Sequence, residues 1–224
     1  FSIACAFAGQ LLELLDDDGG GFHIVGSSTM GKSLSLKVAA SVWGKPDSYT
    51  KTWRSTDNAL EGTASEHNDS FLPLDEISEG DPKVVGKVVY MLANGQGKGR
   101  STTTGHNRIA KKWRIIFLSN GEKTIQQEMA VTGQKTNAGI EVRIAHIDAD
   151  AGAGNDLRTF DSLVLAETGA AQADKIKDLY YRYYGVAGMA WLEHITTDKA
   201  ATTATAKQLV NDFMSNYSDL APQA

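Results

Sequence analysis

The chain has 224 residues and a net charge of −5; that length suits one sizeable α/β core, or one core with a helical appendage, and is marginal for two full domains. Its single cysteine, Cys5, excludes an internal disulfide framework and a cysteine-based zinc site, and no apolar run is long enough for a transmembrane helix. The N-terminus lacks a signal-peptide layout, so a soluble cytoplasmic protein without a membrane partner is the expectation; the start at Phe1, inside an apolar run, points to a piece of something larger with flanking domains missing.

Taken in order, Ile3, Phe7, Leu11, Leu12, Leu14 and Leu15 recur on a helical period, and Asp16-Asp17-Asp18 with the following glycines predict a solvated loop. Phe22 to Val25 then predict a short buried strand leading into Gly26-Ser27-Ser28-Thr29-Met30-Gly31-Lys32-Ser33, which fits G-x-x-x-x-G-K-[ST]. Leu34 to Val42 supply the helix that the pattern requires next. In this phosphate-loop (Walker A) arrangement backbone N–H groups and a helix N-terminus face a phosphate, Lys32 reaches β/γ oxygens and Ser33 ligates Mg²⁺. Gly44-Lys45-Pro46 stops the helix, Tyr49 to Trp53 predict a second strand, and Thr56 or Asp57 caps a helix through Ala64.

Ser70-Phe71-Leu72-Pro73-Leu74-Asp75-Glu76 reads as a buried strand with two carboxylates at its C-terminal tip, the Walker B layout. In a parallel sheet that tip shares an edge with the phosphate loop, so Asp75 serves Mg²⁺ and Glu76 deprotonates an attacking water. Pro73 is at odds with a central strand and argues for an edge or a bulge. A helix follows over 82–93. Beyond it Lys98, Arg100, Arg108, Lys111, Lys112 and Arg114 form a basic segment without an acidic residue, suited to a DNA backbone or, through Lys98 and Arg100, to a neighbour's nucleotide, with a solvated loop as the alternative.

Trp113 to Leu118 is the clearest strand, and Asn120 at its tip, with Ser119 as second choice, is placed to hydrogen-bond a lytic water or γ-phosphate. The structural alternatives are that Asn120-Gly121 is simply a turn, or that Ser119 or Asn120 caps the helix beginning at Lys123. Val142 to Ile147 predict another strand, with Arg143 at its start as an arginine finger for a neighbouring subunit and His146 as a core or rim histidine. From Phe160 on the pattern is helical: Leu163 to Ala173, the Tyr180 to Tyr184 cluster, Ala187 to Ile195 and Ala200 to Tyr217, with no recognisable catalytic motif.

With these residues assembled, the sequence resembles the family called domain of unknown function 927, found in phage and mobile-element proteins. The resemblance rests on the Gly26 to Ser33 loop, Leu60-Glu61-Gly62, Leu74-Asp75-Glu76-Ile77, Tyr90 to Arg100, Trp113 to Glu122 and Gly139 to Arg143. It implies an α/β P-loop NTPase of the AAA+ or superfamily 3 helicase kind: a three-layer core with a parallel sheet over 1–158 and a C-terminal helical lid or interface segment over 159–224. By this likeness catalysis falls on Lys32, Glu76, Asn120 and Arg143, and nucleotide and metal binding on Gly26 to Ser33 with Asp75. The implied function is a Mg²⁺-dependent, ATP-driven motor on single- or double-stranded DNA, a helicase or translocase of a replication protein, working as a homo-oligomer such as a hexameric ring. The alternative is a nucleotide-gated DNA-binding or assembly module that hydrolyses ATP slowly.

Overall fold

The structure, a computed structural model, describes residues 1–101, 107–133, 138–154 and 156–217. Its centre is a parallel sheet of β1 (Gly19–Val25), β2 (Lys51–Thr52), β3 (Ser70–Asp75), β6 (Ile115–Gly121) and β7 (Ile144–Asp148), in the order β2-β3-β6-β1-β7. The two-residue strands β4 (Arg100–Ser101) and β5 (Asn107–Arg108) form a separate antiparallel pair.

Helices cover both faces, as strands with apolar residues on both sides demand. Side chains alternate across a pleated strand, so β3 and β6 each feed two cores. Leu72, Leu74, Ile115 and Phe117 join the core under α5 (Asp57–Glu66), α6 (Pro82–Ala93), α7 (Ile125–Ala130) and α8 (Ala138–Glu141). Phe71, Ile116 and Leu118 turn the other way and pack with Ile24 against α1 (Ser2–Ala8) and α3 (Lys32–Ser41). Each fully buried Phe or Leu contributes roughly 2–3 kcal/mol.

Several expected elements differ in detail. The first helix is broken into α1, a 3₁₀ turn at Gly9–Leu11 and α2 (Leu12–Leu15), where Asp16 closes the run in the left-handed region at φ 57°. The stretch expected as a strand over 49–53 is divided: Pro46 sits at the first position of α4 (Pro46–Tyr49), where its missing N–H costs nothing, and only Lys51–Thr52 pair with β3. Thr56 caps α5, accepting from Ala59 N at 3.2 Å.

Pro73 lies on neither an edge strand nor a bulge, because β3 pairs with β6 in unbroken register from Ser70–Ile115 to Leu74–Ser119. Residues two apart turn their backbone groups to the same side of a strand. Tyr49 Oη donates to Phe71 O and Trp53 N donates to Asp75 O, so 71, 73 and 75 all face the β2 side. There β2 starts only opposite Leu74, and Pro73 leaves no ladder bond unmade.

The C-terminal helices are α9 (Gly169–Arg182), α10 (Val186–Thr197) and α11 (Lys199–Tyr217). The helix expected over 163–173 starts only at Gly169. Buried Gln172 explains the delay: its Oε1 accepts from Val164 N and Leu165 N, and its Nε2 donates to Ser162 O, so this turn satisfies its backbone on a side chain. Of the tyrosine cluster, Tyr180 is buried and Tyr181 donates to Asp47, while Tyr183 and Tyr184 are exposed. No described helix is long and apolar enough to cross a membrane.

Candidate nucleotide site

At the C-terminal edge of the sheet the register sets the chemistry. Val25 is level with Gly121 and Asp148, Ile24 with Asn120, and Leu74 with Ser119, which puts Asp75 beside Asn120. Pleat alternation turns both toward the α3 face and Ser119 toward the other. Asn120 is therefore the residue brought to the Gly26 to Ser33 loop. Its Nδ2 donates to Asp75 Oδ1 at 2.8 Å and to Ser33 Oγ at 3.4 Å, Ser33 Oγ donates to Asp75 Oδ1 at 3.1 Å, and Asn120 Oδ1 accepts the Glu76 N–H at 2.6 Å. The helix-capping alternative fails for both residues, since Thr124 caps α7 in a capping box with Gln127.

Glu76, half-buried, leaves the strand at φ 49°, an unusual conformation for a non-glycine residue, and its Oε1 accepts from Ser78 Oγ at 2.7 Å. Lys32 opens α3, where its charge opposes the helix dipole. It folds over its own loop and donates to Gly26 O and Ser27 O, each at 2.7 Å. Gly31 precedes it at φ 95°, and a Cβ there would lie 2.5 Å from Thr159 Cγ2. Both conditions call for glycine. Ser27, Ser28 and Thr29 complete an exposed or half-exposed turn to Met30, with Thr29 at φ 65°.

Among the described residues no group of three His, Cys, Asp or Glu side chains could hold a metal alone. A hard cation at Ser33 and Asp75 fits the donor chemistry, as Mg²⁺ is commonly held by one or two protein oxygens with phosphate and water completing its shell.

Behind the site, Ser119 joins a buried relay. Trp53 Nε1 donates to Ser119 Oγ at 2.8 Å, Ser119 Oγ is 3.0 Å from His23 Nδ1, and His23 Nε2 is 2.9 Å from Lys123 O. The carbonyl requires the proton on Nε2, so Nδ1 accepts a hydrogen bond from the Ser119 hydroxyl. Burial pushes His23 down to about 4, opposed by its bond to Lys123, with nearby His146 and Lys32 lowering it further. His146 accepts from Ile125 N at 3.2 Å, a structural rather than ligating role.

Arg143 lies at the opposite, N-terminal edge of the sheet, one residue before the pairing of Ile144 with Gly21. It donates to Gly139 O at 2.7 Å and stacks over the Tyr90 ring at 4.8 Å. The length of the sheet separates it from its own chain's Gly26 to Ser33 loop.

The basic segment is only partly free. Lys98 is paired with Asp57, its N–H reaches Glu61 Oε2 at 3.4 Å, and Arg114 pairs with Asp69 at 2.8 Å. Buried Glu61 also explains Gly97, since a Cβ there would meet its Oε1 at 2.6 Å. Lys111 and Lys112 are exposed, whereas the side chains of Arg100 and Arg108 lie outside the described residues. Sequence reasoning missed Arg158, which donates to Thr29 O at 2.7 Å, and Thr159, whose Oγ1 is 3.1 Å from Ser35 Oγ. Their only signal was a glycine-rich stretch after the last strand.

The profile of the domain of unknown function (DUF927) matches residues 1–112, half of the chain. The chain belongs to the DUF927 family. No curated protein matches it. Among solved structures it is similar to one titled "SCCmec type IV Cch - active helicase", with a TM-score of 0.72, 23% identity, and coverage of 97% of this chain and 38% of that one. This DUF927 chain thus spans well under half the length of that relative and shares its fold, an α/β architecture on a parallel sheet that resembles the P-loop NTPase fold.

Proposed function

We propose that this chain is the ATPase core of a DNA-acting motor, a Mg²⁺-dependent helicase or translocase that works as a homo-oligomer within a larger mobile-element replication protein. The observation that carries the reading is the convergence of Ser33, Asp75, Asn120 and the Glu76 backbone at the mouth of a glycine-bounded loop. Loop N–H groups and Lys32 would hold the β- and γ-phosphates of ATP. Ser33 and Asp75 would hold Mg²⁺, which when bound offsets charge on the phosphate oxygens. Glu76 accepts the proton of the water that attacks the γ-phosphorus as the bond to the β-bridging oxygen breaks and ADP leaves. Asn120 fixes that strand tip, and Arg143 of a neighbouring copy stabilises the charge.

The DNA part of the reading is supported by exposed Lys111 and Lys112 and by the structural relative titled an active helicase. An ATPase assay with and without single-stranded DNA, run beside a sizing measurement, tests both parts. The expected result is turnover that DNA stimulates and that Lys32→Ala abolishes. ATP binding without turnover would replace the motor by a nucleotide-gated assembly module.

A further inference from the structure

On the β7 side of the phosphate loop, away from Asp75, the segment after the last strand crosses back over the start of α3. Thr159 touches Gly31 and Ser35 there, and Arg158 grips Thr29 O. Two clefts, of about 410 Å³ and about 210 Å³, adjoin this strap. Leu34, Thr159 and Phe160 line both; the smaller reaches the phosphate loop at Gly31, and the larger continues along α3 to Val38. A ligand anchored by phosphates at the N-terminus of α3 has its remaining bulk carried along this path. At about 1.5 Å of rise per residue, Val38 lies roughly 7 Å beyond Ser33, comparable to the reach from the β-phosphate of a nucleotide to its sugar and base.

We propose that Leu34 and the strap at Thr159 and Phe160 seat the nucleoside of the bound nucleotide, its base lying against the Leu34 and Phe160 side chains. This rests on the reading of Gly26 to Ser33 as the phosphate site. The chemistry suits a flat, weakly polar ring. Leu34 and Phe160 are both half-buried, and Phe160 belongs to neither core, so an aromatic face is left for a ligand and not spent on packing the sheet. The segment with no catalytic motif of its own thereby completes the nucleotide site from the side opposite Glu76.

The test is equilibrium calorimetry on the full chain in magnesium buffer, with ATP and with inorganic tripolyphosphate, which carries the phosphates and no nucleoside. ATP is expected to bind more tightly than tripolyphosphate. Leu34→Ala and Phe160→Ala should each weaken ATP by about tenfold, the worth of one apolar or stacking contact, and leave tripolyphosphate unchanged. Unchanged ATP affinity, or equal loss for both ligands, overturns the seat. The wild-type comparison needs no variant to fold: equal affinity for the two ligands removes the seat and keeps the phosphate site, whereas binding of neither removes the phosphate site as well.

Discussion

Asn120 holds Glu76 by the backbone, its Oδ1 2.6 Å from the Glu76 nitrogen, while its Nδ2 donates to Asp75 Oδ1 at 2.8 Å. One amide thus ties both carboxylate-bearing residues of the β3 tip to the neighbouring strand. Asn120→Asp keeps the shape, loses the donor and sets a second carboxylate against Asp75. We expect turnover to fall by about a hundredfold, within the range for a misplaced general base, with ATP affinity changed far less. Steady-state hydrolysis beside ATP calorimetry would show it, and unchanged turnover would remove Asn120 from the site.

Glu76 combines a strained backbone with the role of general base proposed for it. At φ 49° it sits where glycine would be at ease, a placement that costs on the order of 1 kcal/mol. Glu76→Gln should retain ATP and stop turnover. Glu76→Gly should also stop turnover while holding or raising the melting temperature, because the backbone strain is relieved. A glycine variant that melts well below wild type would show that the carboxylate serves stability instead.

Arg143 stands across the sheet from its own phosphate loop, so a catalytic role for it must act on another copy. Lys32→Ala and Arg143→Ala should each be inactive alone. Mixed, they should recover measurable turnover, since one copy keeps the phosphate site and its neighbour the arginine. A mixture as inactive as its components would leave Arg143 with Tyr90 and Gly139 as its whole role.

Lys98 and the pair Lys111 and Lys112 should separate in DNA titrations. Each exposed lysine that contacts a phosphate contributes about 0.7–0.9 to the slope of log affinity against log salt. Lys111→Gln and Lys112→Gln should each lower that slope by about this much, and Lys98→Gln by less, because Asp57 already holds its ammonium. Equal slopes in all three variants and the wild type would discard the segment as a DNA contact.

His23 makes stability depend on acid. Its ordinary value of 6.5 falls to about 4 in the fold, so the unfolded chain takes up its proton first. Above pH 6.5 both forms are neutral and nothing is lost; between 6.5 and about 4 stability declines, by on the order of 3 kcal/mol. Burial lowers His67 in the same direction. His23→Gln, which can still donate to Lys123 O, should flatten this decline in urea unfolding series across that pH range. A series as steep as wild type would place the acid sensitivity elsewhere.

What the sequence by itself determined is local. The Gly26 to Ser33 pattern lies within eight consecutive residues, its glycines and helix start are short-range requirements, and unbroken apolar runs marked β3 and β6 while helical periodicity marked α6 and α11. What only the tertiary structure decided depends on which strands pair and at what level. The Leu74 to Ser119 register turns Asn120, and not Ser119, toward Ser33 and Asp75, since one step along a pleated strand turns a side chain to the other face. Strand order put Pro73 beside the short end of β2 and Arg143 at the far edge, and the same non-local packing joined Lys98 to Asp57 and Arg158 to the phosphate loop. These partners are separated by tens of residues along the chain and carry no local periodicity, so the folded sheet alone brings them together.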